Sequence, residues 1–120
     1  MRPLVDEHLA PLLGRLDVAA AAGVPADRDD VRTAVKHFLA VLTERAPGKS
    51  VEVRVPPYAA VQCIAGAHHT RGTPPAMVET DAASWLAMAL GRSTFDELRQ
   101  AGKIRASGER SDLSHLLPLT

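Results

Sequence analysis

Residues 77–108, MVETDAASWLAMALGRSTFDELRQAGKIRASG, restrict what this chain can fold into more than any other stretch. Each boundary in it has a local chemical reason. Met77, Val78, Glu79 and Thr80 form a short extended run. Asp81 follows, a favourable helix N-cap, because its carboxylate accepts from free N–H groups of the first turn. Trp85, Leu86, Met88, Ala89 and Leu90 then make a broad apolar helical face. Gly91 stands where the helix would end in the left-handed region, which costs glycine little. Thr94 and Glu97 have capping-box spacing and start a second helix, which buries Phe95 and Leu98 and stops at Gly102. Residues 103–107 alternate as a strand, with Ile104 and Ala106 on one side and Lys103, Arg105 and Ser107 on the other. Gly108 ends it. The order is strand, helix, short helix, strand.

Upstream, Val31, Val35, Phe38, Leu39 and Leu42 fall at i, i+4, i+7, i+8 and i+11, one apolar stripe of a longer helix capped by Asp27 or Asp29. Arg28, Arg32, Lys36 and Glu44 decorate its other side, and Pro47-Gly48 ends it. Val51–Val55 alternates as a half-buried strand, and Pro56-Pro57 stops the pairing. Residues 58–65 are apolar on both faces except at Gln62, which predicts a central strand. Residues 66–75 carry too many Gly and Pro for regular structure. Ser111 or Asp112 can cap a last helix holding Leu113, Leu116 and Leu117. At the other end, Leu9, Leu12, Leu13 and Leu16 predict a short helix within residues 1–16, and the Ala-rich residues 17–26 read as its tail and a linker. Strands and helices are partly segregated, so the class is α+β with a mainly antiparallel sheet. Residues 1–26 form an extension and 27–120 the domain.

At 120 residues the chain is one domain, and 46% hydrophobic residues fit a globular one. Aromatics are only 3%, so Leu, Val, Ala and Met must build the core. The 14 basic and 14 acidic residues cancel, leaving no global field to attract nucleic acid and no polybasic block for an anionic membrane. One cysteine rules out an internal disulfide. The first residues lack an apolar run of signal-peptide length, and no stretch approaches the roughly 18 apolar residues of a membrane span, so a cytoplasmic protein is expected.

Familiar catalytic signatures are absent: no Gly-x-Ser-x-Gly, no phosphate loop, no dinucleotide glycine pattern. Neither an enzyme nor a cofactor is expected. His68 and His69 are adjacent, and neighbours on an extended chain point oppositely, so a polar loop is favoured over a metal site. Cys63 is either a reactive thiol, which needs a nearby cation or helix start, or a small buried hydrophobe; the second is favoured. Arg71, Arg92 and Arg105 could gather around an anionic headgroup or be solvated charges pairing with Glu79 or Asp81, and the solvated reading is favoured. Tyr58 and Trp85 are amphipathic; Trp85 could stack on a ligand, though core packing is the commoner use.

The ordered set of Asp81, Gly91-Arg92, Ala101-Gly102 and Lys103-Ile104-Arg105-Ala106-Ser107-Gly108 resembles the second half of the sterol carrier protein 2 (SCP2) family. The segments Arg45-Ala46-Pro47-Gly48, Val51-Glu52-Val53-Arg54-Val55-Pro56-Pro57 and His69-Thr70-Arg71-Gly72-Thr73-Pro74-Pro75 look like a branch of small stand-alone bacterial SCP-like proteins. The resemblance covers residues 30 to 118, roughly. It implies a twisted, mainly antiparallel sheet of about four to five strands covered by helices, with the long helix across one face. It also implies a non-catalytic carrier holding a sterol, fatty acid or acyl group in a tunnel between sheet and helices. The wall would then be Val61, Cys63, Met77, Trp85, Leu86, Met88, Leu90, Leu98, Ile104, Leu113, Leu116 and Leu117, with Arg71 or Arg92 holding an acidic head. Each methylene moved from water to such a wall gains about 0.8 kcal/mol, so a lipid needs only a dry slot. The same side chains could instead pack on one another, leaving an interaction module with a filled core. The expected partner is an apolar small molecule (lipid, fatty acyl or sterol-like); transient membrane contact and a homodimer stay open, and nucleic acid is not expected.

Overall fold

The computed structural model describes residues 1–66 and 76–120. Two helices come first, α1 (Asp6–Ala22) and α2 (Arg28–Arg45). The hairpin β1 (Val51–Val55) and β2 (Ala59–Cys63) follows, then β3 (Ala76–Thr80), α3 (Ala82–Ala89), α4 (Phe95–Gln100) and β4 (Ile104–Ser107). A single 3-10 turn at Ser114–Leu116 lies near the end. The fold is α+β, and it is consistent with the SCP2-like architecture expected.

The helix starts are made by the side chains expected to make them. The Asp27 carboxylate accepts from the N–H groups of Asp29 and Asp30, and that of Asp81 accepts from Ser84 N–H. Thr94 and Glu97 complete a reciprocal capping box at α4. Gly108 ends β4 with φ 87°, and a Cβ there would lie 2.9 Å from Ala76 Cα, so the position needs glycine twice over. The first helix is longer than the short one expected. Alanine is the best helix former, and Ala19 to Ala22 carry α1 on to a left-handed cap at Gly23.

Among the described residues, four strands form one sheet in the order β2-β1-β3-β4. Both edge pairings are antiparallel, and the central pair, β1 with β3, is parallel. Among the described residues strand β2 is therefore an edge, not the central strand expected. Its apolar look comes partly from alanine: Ala60 is exposed, and alanine marks neither face strongly. The expected last helix is only the 3-10 turn, because Pro118 leaves too few residues to nucleate an α-helix.

Register sorts the sheet into two faces. Val51, Val53 and Val55 lie level with Cys63, Val61 and Ala59 on one side and with Ala76 and Val78 on the other. Ile104 faces Thr80 across the β3–β4 pair. This face meets Val35, Phe38, Leu39 and Leu42 of α2 and Trp85, Met88 and Ala89 of α3 in one buried cluster. The opposite face carries Glu52, Arg54, Gln62, Met77, Glu79, Arg105 and Ser107. Burying one face and wetting the other is the usual solution for antiparallel strands, and the alternation of β1 follows from it.

Candidate functional site

The expected lipid wall divides sharply in three dimensions. Cys63, Trp85, Met88, Ile104 and Leu113 are buried in the core cluster. Val61, Leu86, Leu90, Leu98, Leu116 and Leu117 are partly buried and pack against it. Met77 does not join them. Its register places it beside Glu52 and opposite Ser107, on the polar face of the sheet. The difference of one residue from Val78 is enough, because side chains alternate along a strand.

Trp85 is fully buried, and its indole N–H donates to the Val35 carbonyl of α2 at 3.3 Å, so its polar atom is satisfied within the core. Cys63 is also fully buried, and burial pushes its thiol up to about 11. A thiol that stays protonated at neutral pH is a poor nucleophile. Arg92 points outward and pairs with Asp17 of α1 at 2.6 Å, away from the apolar layer. Arg71, His68 and His69 lie outside the described residues. Among the described residues, no group of His, Cys, Asp or Glu is arranged to hold a metal ion, and no helix is long and apolar enough to cross a membrane.

The apolar layer is closed at one end by residues 113–119. Leu113 and Leu119 are buried, and Leu116 and Leu117 half-buried. Leu119 N–H donates to the Ala89 carbonyl at 2.9 Å, and the Arg45 guanidinium donates to the Pro118 carbonyl at 2.9 Å. Leu119 went unnoticed in the sequence because it follows a proline and sits in no periodic segment.

Clefts open at three places that bear on function, and none is lined by the wall residues above. One, about 500 Å³, lies along α1 and is walled by Pro11, Gly14, Arg15, Val18, Ala19, Ala22 and Val24. A second, about 460 Å³, lies between α2 and the β1–β2 turn. A third, about 240 Å³, sits at the ends of β3 and β4 among Glu79, Asp81, Lys103 and Arg105. His37 is a further residue that sequence reasoning missed. It is buried on α2, and its Nδ1 accepts from Leu4 N–H at 2.8 Å. Its place beside Ala34 and Val41, at i−3 and i+4, is the signal that could have found it.

No curated protein matches this chain. A family model described as the bacterial SCP ortholog matches residues 27–119, which takes in α2, the whole sheet and residues 113–119 and leaves α1 outside. The chain belongs to the bacterial SCP ortholog family.

Proposed function

We propose that this chain is a binding protein rather than an enzyme, and that its ligand is an apolar molecule of the lipid, fatty acyl or sterol type, held between the sheet and its helices. The observation that carries this reading is the closure of the apolar layer by residues 113–119. That segment contributes four leucines to the layer yet has only one turn of regular structure. Segments with little regular hydrogen bonding open at lower free energy than core strands and helices. A greasy chain entering there would replace leucine contacts with its own, at about 0.8 kcal/mol for each methylene desolvated. Family membership supports the same reading.

The test uses the full chain. Native mass spectrometry of protein purified from its own host should reveal a co-purified lipid, and a fluorescent fatty acid or sterol probe should bind saturably at micromolar concentration. A clean apoprotein that ignores both probes ends the carrier reading.

The filled interior and the outer side of α1 favour a second reading, an interaction module that associates with another copy or another protein. Val18 is 70% exposed and Val24 55%, large values for valines that share a cleft. Sedimentation velocity tests it: a dimer that Val18→Asp dissociates supports the module, and a monomer at high micromolar concentration opposes self-association.

A further inference from the structure

Arg28, Arg32 and Lys36 succeed one another at i, i+4 and i+8, so they form a ladder on one side of α2. Like charges one turn apart repel, and a helix face with no task other than solubility gains by alternating their sign. Opposite the ladder stands the β1–β2 turn. Pro57 and Tyr58 from that turn, with Asp29 from α2, complete the lining of the cleft of about 460 Å³. Asp29 is ion-paired with Arg32 and holds its guanidinium in place. Arg28 and Lys36 make no ion pair or hydrogen bond among the described residues. The nearby carboxylates are engaged elsewhere: Asp27 caps α2, and Asp30 takes a two-point hydrogen bond from Arg15. The lining thus sets three cations against one anion, beside a tyrosine that can offer both a hydroxyl and a ring face.

We propose that this cleft binds a phosphoryl group, a tetrahedral dianion with three terminal oxygens. Three long cationic side chains that line one cleft can converge on the three oxygens, one more than a planar carboxylate offers. The cleft is larger than the group itself, so it has room for part of the molecule that carries it. That carrier is either a small soluble phosphate monoester or a lipid whose headgroup ends in a phosphate monoester. The site is separate from the interior layer and does not depend on what that layer holds.

The test is an amide NMR titration of the full chain with pyrophosphate and with glycerol 3-phosphate, at ionic strength held constant with chloride. A parallel arm measures co-sedimentation with phosphatidylcholine vesicles with and without phosphatidic acid, whose headgroup is a phosphate monoester. Saturable shifts confined to residues 28–36 and 57–58 are expected, weakened at least about tenfold in the Arg28→Gln/Lys36→Gln double variant. Both positions are exposed, so the variant should keep the unliganded melting temperature. Response to the soluble probes alone identifies a small-molecule ligand, and response to phosphatidic acid vesicles identifies a headgroup; each must weaken at least about tenfold in the double variant. If neither arm responds, or if the double variant binds as well as the native chain, the proposal is overturned.

Discussion

His37 shows how one side chain can make stability depend on pH. Burial holds its imidazole below the ordinary value of 6.5, and the Asp6 carboxylate opposes that shift more weakly. Its Nδ1 accepts from Leu4 N–H, which it can do only while unprotonated. The unfolded chain therefore takes up this proton more readily than the folded one. Stability from this group is complete above about pH 6.5 and is lost as pH falls toward the folded value. The melting temperature should drop between about pH 7 and about pH 5, and His37→Gln, which can still accept from Leu4 but does not titrate, should flatten the profile. Parallel profiles for the two proteins would remove His37 from the account. Gly108 poses a simpler question of space. Gly108→Ala forces a side chain into a positive φ and against Ala76, and should cost about 2 kcal/mol in chemical denaturation. A loss below a few tenths would mean that β4 can shift away from β3.

Among the elements, the division of the sheet into a buried and a wet face is the feature on which the candidate site depends. It can be tested at adjacent positions of β3. Val78 is buried in the core cluster, while Met77 lies on the polar face. Val78→Gln should cost roughly 3 kcal/mol through an unsatisfied buried amide, and Met77→Gln should stay within about 0.5 kcal/mol. Equal losses, read from urea midpoints, would contradict the register. The same pair shows what the sequence could and could not reveal. Residues 77–108 were legible element by element because Asp81, Gly91, Thr94, Glu97, Gly102 and Gly108 act locally, through caps and backbone freedom. Which face Met77 occupies is a question of strand parity and of what lies on each side, and a methionine suits either. The edge position of β2 depends on strand order, and nothing within residues 59–63 encodes it. Trp85 and Cys63 were legible as core because large or soft apolar side chains flanked by apolar neighbours have few alternatives.

At the scale of the whole molecule, carrying a lipid requires that something in the apolar layer move. Residues 113–119 are the part of that layer with the least regular structure, and on the proposed reading their closure would compete with the ligand for the same contacts. If the closed form dominates, apparent affinity is reduced by the fraction of molecules that are open. Weakening the closure should then raise affinity, by tenfold for each 1.4 kcal/mol or so removed, until the open form prevails. Leu113→Ala removes a fully buried side chain from this segment, and Leu39→Ala removes one from α2. Each should lower stability by roughly 2–4 kcal/mol as a cavity-forming core substitution. Only Leu113→Ala should tighten binding of a long-chain fluorescent fatty acid, because only it acts on the segment that must yield. The comparison separates a displaceable closure from a new hole, since Leu39→Ala makes a void of similar size in a helix that stays in place. Equal tightening in both variants would mean that the probe reports the cavity, and weakening in Leu113→Ala would mean that residues 113–119 form part of the binding wall and do not compete with the ligand.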